Sequence, residues 1–230
     1  MREYKDLENL SRMIDISAVR TDVTINEIDN LVEMAKKYDF IAAFVMPVFE
    51  EYLAEKLKEV PNTKLGIAVG FPSGAEPTKM KIIGVEDGHK LGADEFDMVI
   101  NVGALKSGMY DVVSDDIKAV VDAADGKPVK SILEIAYLTD DEIKRASEIA
   151  VKSGVTFVKT GTGWADKPTT VETIKLIKSV VGNDAKIKAA GGVRSLDSVY
   201  DMIDAGCSRF GIGLTSAVKI MEDAYKILGK

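Results

Sequence analysis

Val155-Thr156-Phe157-Val158-Lys159-Thr160-Gly161-Thr162-Gly163, Ala185-Lys186-Ile187-Lys188-Ala189-Ala190-Gly191-Gly192 and Ser208-Arg209-Phe210-Gly211-Ile212-Gly213 are three short, mainly apolar runs that each end in glycine. Segments of helical pattern separate them. Parallel strands covered on both faces read this way. The same unit recurs towards the N-terminus, with apolar runs at Met13 to Val19, Phe40 to Met46, Leu65 to Gly70, Glu95 to Asn101 and Val129 to Ile135. The first three quoted runs contribute Val155 to Lys159, Ala185 to Ala190 and Ser208 to Gly213. Between the runs, Thr24 with Glu27, Thr139 with Glu142 and Thr169 with Glu172 have the spacing of a helix capping box. Lys79-Ile82-Ile83-Glu86-Asp87 and Ile143-Ala146-Ile149-Ala150 show the apolar stripe of a surface helix. Eight strands alternating with eight helices predict an α/β fold, a closed (β/α)8 TIM barrel occupying residues 1–230 as one domain. An open doubly wound sheet is the competitor. Its glycine fingerprint should follow the first strand, and Ser17-Ala18-Val19-Arg20 has no glycine.

Composition narrows the function classes. The 230 residues are 46% hydrophobic and 29% charged, with a net charge of −7 and a pI near 5.0. That balance argues against nucleic acid and anionic membranes as partners, and it requires locally placed donors if the substrate is an anion. Cys207 is the sole cysteine, so no internal disulfide is possible. Met1-Arg2-Glu3-Tyr4-Lys5-Asp6 lacks the apolar stretch of a signal peptide, and Phe40 to Pro47 is far short of a membrane span. The expectation is a cytoplasmic protein. His89 is the only histidine and falls in the helical stretch Lys79 to Leu91, as an exposed or half-buried helix residue. One histidine and one distant cysteine make a poor zinc site, so no metal or other cofactor is called for.

In a barrel of this kind chemistry belongs at the carboxyl ends of the strands. Reading those ends gives Asp15 and Ser17 on the first strand, Phe44 to Pro47 on the second, Asp97 to Asn101 on the fourth, Lys159 on the sixth and Lys188 on the seventh. Lysine is among the residues least often buried, yet two occupy consecutive core strands. A structural reading has each stem pack while its amine reaches solvent. The functional reading is a nucleophilic amine, since burial and a neighbouring positive charge both favour the neutral form. One lysine then attacks a carbonyl while the other tunes it; the residues alone leave open which does which. Asp97 shares a face with Val99 and Asn101, either to hold a lysine by ion pairing or to carry a proton beside the imine. Asp94 and Glu95 read as surface charges where the fourth strand begins, and Glu134 as a supporting polar group. One of Phe44 and Met46 should face the barrel interior by strand alternation. Thr160-Gly161-Thr162-Gly163, Gly191-Gly192-Val193-Arg194 and Gly211-Ile212-Gly213-Leu214-Thr215-Ser216 follow three adjacent strands. Backbone N–H groups in such turns, with a helix N-terminus behind them, suit a phosphate.

Phe157 to Gly163, Lys188 to Arg194, Asp94 to Gly103 and Gly70-Phe71-Pro72-Ser73-Gly74-Ala75 closely resemble the deoxyribose-phosphate aldolase family. The similarity runs from about Ile14 to Gly213. The resemblance implies a class I aldolase acting on 2-deoxyribose 5-phosphate, with Lys159 forming the Schiff base, Lys188 perturbing its pKa, and Asp97 working with Lys188 in proton transfer. Asp15, Ser17, Thr160, Gly161, Thr162, Gly191, Gly192, Gly211 and Gly213 are the expected substrate contacts, and a homo-oligomer, dimer or tetramer, is implied. The chain departs from the family pattern at the rim. Asp15-Ile16-Ser17 replaces Asp-His-Thr, Phe44-Val45-Met46-Pro47 replaces Cys-Val-Asn-Pro, Gly161 replaces a serine, and Gly213-Leu214 stands where a serine pair is usual unless Thr215-Ser216 shifts into place. Lys186, on the same face as Lys188, is expected at the barrel's bottom. A lysine aldolase for another phosphorylated sugar, and a catalytically silent sugar-phosphate-binding barrel, are the alternatives.

Overall fold

The structure, a computed structural model, describes residues 4–230. Eight parallel strands close into a barrel in sequence order: β1 (Ile14–Ala18), β2 (Ala42–Val45), β3 (Lys64–Val69), β4 (Glu95–Val99), β5 (Val129–Ile132), β6 (Phe157–Lys159), β7 (Lys186–Ala190) and β8 (Arg209–Gly213). Each lies within its expected run or extends one residue beyond it. The ring shuts through β1 and β8, which pair from Ile14↔Phe210 to Ser17↔Gly213. The outer layer comprises α1 (Ile25–Tyr38), α2 (Glu50–Leu57), α3 (Thr78–Lys90), α4 (Val102–Lys106), α5 (Tyr110–Ala123), α6 (Asp140–Lys152), α7 (Val171–Val181), α8 (Leu196–Asp204) and α9 (Leu214–Leu228). The β4–β5 connection thus holds two helices where one was expected. Asn101 starts the extra one by accepting the Ala104 amide at 2.9 Å, so it is a helix cap rather than a strand-end residue.

Strand alternation separates two cores. Outward residues such as Ile14, Ile16, Ala43, Val45, Ile67, Phe96, Met98, Val158, Ile187, Ala189, Phe210 and Ile212 pack beneath the helices in one apolar cluster. Ile143, Ala146, Ile149 and Ala150 are the buried stripe of α6, as their spacing predicts. On α3 the buried face is instead Lys81, Val85 and Gly88, and Ile82 and Ile83 are only half-buried. Lys81 is tolerated there because it donates to Asp116 at 2.5 Å and to the Val99 carbonyl at 2.9 Å. His89 is half-buried on α3, with Nε2 3.0 Å from the Ala123 carbonyl.

Of the three capping boxes, Thr139 with Glu142 is complete. Thr24 caps α1 by position but makes no side-chain cap bond, and Glu27 pairs with Arg20 at 2.8 Å. The third is displaced by one residue. Thr170 caps α7 through the Thr173 amide, while Thr169 turns inward to donate to the Ala190 carbonyl at 2.7 Å. No helix among the described residues is long and apolar enough to cross a membrane.

Candidate active site

The inward faces of the strands carry charge. Asp97 Oδ2 accepts from Lys159 Nζ at 2.7 Å and from Lys188 Nζ at 2.6 Å, so two lysines converge on one oxygen. Its other oxygen accepts from Lys130 Nζ at 2.8 Å. Lys188 Nζ also lies 2.5 Å from Asp15 Oδ2. Beneath this layer Glu95 Oε1 accepts from Lys130 at 2.6 Å and from Arg209 Nη2 at 2.7 Å, and Arg209 Nε donates to Asp15 Oδ1 at 2.5 Å. Seven side chains on β1, β4, β5, β6, β7 and β8 therefore form one continuous ion-paired core. It joins three carboxylates, Asp15, Glu95 and Asp97, to four cations, Lys130, Lys159, Lys188 and Arg209.

That imbalance has a consequence for protons. With every group ionised the buried cluster holds one surplus positive charge, and a low-dielectric interior favours shedding it. Burial raises the Asp97 and Asp15 carboxyls, but the surrounding cations more than reverse this and hold Asp97 well below the usual range and Asp15 below it. Lys130 is held above the ordinary lysine value because Asp97, Asp15 and Glu95 outweigh its own burial. Lys188 behaves oppositely. Burial pulls it down to about 8 despite Asp15 and Asp97, and Lys159 and Lys130 push in the same direction as burial. Lys188 is therefore the cation of the cluster that can exchange a proton near neutral pH. Lys159 is 8% exposed against 1% for Lys188, so it is the lysine nearer the open mouth.

Two adjacent compartments sit beside the cluster. The inner one, about 30 Å³, is lined by Asp15, Ser17, Phe44, Asp97, Lys159 and Lys188 among others. The outer one, about 280 Å³, is lined by Gly191, Gly192, Val193 and Arg194 after β7 and by Gly213, Leu214, Thr215 and Ser216 after β8. Ser17, Val19, Thr162 and Gly211 border both. Gly191 and Gly192 adopt φ of 91° and 79°, the left-handed region in which glycine is the unstrained residue. The first turn of α9 has no side-chain cap, so its amides lack that partner, and Leu214, Thr215 and Ser216 of that turn line the outer compartment. Exposed Arg194 adds a cation to its wall.

The remaining loops shape the mouth. Glu134, at φ 55°, receives the Thr162 amide at 3.2 Å and the Thr162 hydroxyl. The Thr162 hydroxyl in turn accepts the Trp164 amide at 3.0 Å. Trp164 bridges to the β1 side, with its indole N–H 2.8 Å from the Val19 carbonyl, and meets Phe71 edge-on at 6.1 Å.

Most expected site residues come together here: Asp15, Ser17, Asp97, Thr162, Lys159, Lys188 and Gly211 line the inner compartment, and Gly191, Gly192 and Gly213 the outer. Thr160 and Gly161 line neither. Thr160 is fully buried, with its hydroxyl bonded to the Ala190 carbonyl and amide, and Gly161 lies beneath the Glu134 carboxylate. Glu95 is not a surface charge. It has the parity of Asp97 and so points inward, where it is 1% exposed; Asp94 is exposed and accepts the Leu65 amide. Lys130 and Arg209 went unrecognised in the sequence, although Lys130 alternates with Ile132, and Arg209 with Gly211 and Gly213, on inward faces. Phe44 and Met46, two residues apart, have the same parity, so alternation does not choose between them. Phe44 lines the inner compartment, whereas Met46 lies past the end of β2 at Val45 and is half-buried outside both compartments. Thr215 and Ser216 do reach the outer compartment. Lys186 is exposed at the first position of β7, over the Phe157 ring at 5.6 Å, at the foot of the barrel.

Comparison with known proteins places this arrangement. Deoxyribose-phosphate aldolase of Staphylococcus carnosus is 44% identical over 92% of this chain and 95% of its own length. That of Coprothermobacter proteolyticus is 46% identical over 93% and 96%. The tetrameric deoxyribose phosphate aldolase of Aeropyrum pernix superposes with a TM-score of 0.88 at 28% identity, covering 98% of this chain and 94% of that one. Residues 6–220 match the DeoC/LacD family aldolases. With a match that spans residues 6–220 and relatives 44% and 46% identical over 92% and 93% of its length, the chain belongs to the DeoC/LacD aldolase family.

Proposed function

We propose that this chain is a class I aldolase that reversibly cleaves 2-deoxy-D-ribose 5-phosphate to D-glyceraldehyde 3-phosphate and acetaldehyde, with Lys159 forming the Schiff base. The observation that carries the reading is the convergence of Lys159 and Lys188 on one oxygen of Asp97, in a compartment that shares four lining residues with a glycine-lined cradle suited to an anion. The relatives' shared activity supports the choice of sugar.

The outer compartment receives the phosphate against the α9 amides and Arg194, and the sugar chain extends inward to C1. Lys159, the more exposed lysine, passes a proton to neutral Lys188 and attacks C1. Lys188, as ammonium, gives its proton to the departing hydroxyl, and water and an iminium result. Neutral Lys188 then takes the C3 hydroxyl proton. The C2–C3 bond breaks, its electron pair forms the enamine, and glyceraldehyde 3-phosphate leaves. The same Lys188 proton goes to C2, water adds to the iminium and passes a proton back to Lys188, and acetaldehyde departs, leaving Lys159 as the amine. A lysine with a pKa of about 8 suits both directions of transfer, because neither protonation state is costly near neutrality. Asp97 stays ionised and orients both amines.

The test is cleavage of deoxyribose 5-phosphate with detection of acetaldehyde, followed by borohydride reduction. The peptide containing Lys159 should gain the mass of the carbonyl fragment. Adduct confined to Lys188 or Lys186 overturns the assignment. We further propose a homo-oligomer, as the Aeropyrum protein is; light scattering giving a monomer mass contradicts this.

A further inference from the structure

We propose that Phe44 is a specificity-determining residue that limits the carbonyl donor to two carbons. The inference rests on the Schiff base at Lys159 and names which partner of the aldol reaction the inner compartment selects.

The two compartments divide the substrate. A ligand held by its phosphate in the outer space of about 280 Å³ and by an imine at Lys159 keeps its acceptor carbons outside. Only the donor carbons, C1 and C2, occupy the inner space of about 30 Å³. That is room on the scale of one or two water molecules. In the condensation direction the enamine α-carbon faces the acceptor, so any extra donor carbon must lie in the inner space. Propanal adds one on the α-carbon, and acetone adds one on the carbonyl carbon.

Phe44 fixes the size of that space. Strand alternation turns Ala42 and Phe44 of β2 inward while Ala43 and Val45 join the outer apolar core. The Phe44 side chain is buried, and its ring lies flush on the backbone of β3. A Cβ placed on Gly66 would lie 2.1 Å from Phe44 Cζ, so glycine is what lets the ring lie there. Three ammonium groups hold the other side: Nζ of Lys188, Lys130 and Lys159 stand 4.4, 4.9 and 6.0 Å from the ring centroid. With backbone on one side and cations on the other, the ring is a fixed wall. Ala68 and Ala190 add little bulk to the lining, so Phe44, Phe71 and Val19 supply the apolar part of it, Phe44 alone among them lying against the three ammonium groups.

The experiment compares acetaldehyde, propanal, butanal and acetone as donors to glyceraldehyde 3-phosphate. The readouts are product formation and borohydride trapping at Lys159, in wild type, Phe44→Leu and Phe44→Ala. A single methylene in a closed apolar site is worth roughly 10–200-fold in specificity. Wild type should therefore prefer acetaldehyde over propanal and acetone by at least about tenfold, with butanal worse again. Phe44→Ala should lower that preference by roughly tenfold or more, and Phe44→Leu, which keeps most of the bulk, should fall between them. An unchanged ratio in folded Phe44→Ala, or a loss in Phe44→Leu as large as in Phe44→Ala, overturns the proposal. If Phe44→Ala does not fold, the wild-type donor series still decides: equal use of acetaldehyde and propanal refutes a two-carbon limit. Failure of the underlying reading looks different, because wild type would then trap no donor at Lys159.

Discussion

Replacing Lys188 by methionine should silence imine formation at neutral pH and restore part of it in alkali. Lys159 and Lys188 reach Asp97 Oδ2 at 2.7 and 2.6 Å, so their charges are no further apart than the sum of those bonds, about 5.3 Å. At an effective dielectric of about 20 the repulsion over that distance is roughly 3 kcal/mol, or about two powers of ten in a proton equilibrium. Lys188→Met removes this repulsion and also leaves Asp15 and Asp97 less neutralised. Both changes favour the ammonium form of Lys159. The four-to-three excess of cations over carboxylates disappears as well, and with it the drive to release a proton. Borohydride trapping at pH 7 should fall by about a hundredfold and climb as pH rises. Turnover should stay impaired throughout, because methionine cannot move the proton. Removing one partner of a buried ion pair typically costs about 3–5 kcal/mol, so each sample must first show a cooperative thermal transition. Wild-type trapping at pH 7 in the folded variant, or a deficit independent of pH, refutes the reasoning. Lys159→Ala, lacking the nucleophile, should trap nothing at any pH.

Lys188→Arg should change the alkaline side of the rate profile. In wild type a lysine lowered to about 8 loses its proton as pH rises through that value, so kcat/KM should decline there; an arginine keeps its proton, so the variant should lose turnover at every pH while its imine trapping shows no inflection near that value. Arg194→Ala should raise KM for deoxyribose 5-phosphate much more than it lowers kcat and leave unphosphorylated deoxyribose unaffected; equal effects on both sugars argue against a phosphate contact. Glu50 on α2 accepts the Ala68 amide at 3.2 Å, and burial raises its carboxyl to about 7 against that bond. The native state therefore keeps a proton that the unfolded chain has lost between about pH 4.5 and 7, and stability declines as pH rises through that window. Glu50→Gln should remove the decline, so the Tm difference between variant and wild type should grow from pH 5 to 8; a constant difference contradicts it. Met46→Asn should leave substrate ratios unchanged, because Met46 borders neither compartment; a shifted substrate panel would refute that placement.

The strands, the α/β alternation and the inward parity of Lys159, Lys188 and Asp97 are properties of local sequence. Each strand is short enough that its apolar run reports burial directly, and period-two alternation assigns faces without knowledge of neighbours. The displaced cap at Thr170 and the buried Lys81 were not legible, because each depends on a partner distant in sequence. Thr169 is drawn inward by the Ala190 carbonyl, and Lys81 is satisfied by Asp116. Glu95, Lys130 and Arg209 show the same limit more strongly. Their parity was readable, yet a charge at a strand's beginning looks like surface until barrel closure sets β4 beside β5 and brings β8 round to β1. Only then do four cations meet three carboxylates, and burial, aided by Lys159 and Lys130, outweighs Asp15 and Asp97 to lower the Lys188 pKa. The sequence by itself determined which residues face inward. The closed barrel decided which of them touch, how many charges balance, and how little space Phe44 leaves beside the lysines, because distance and desolvation exist only once separate strands share one interior.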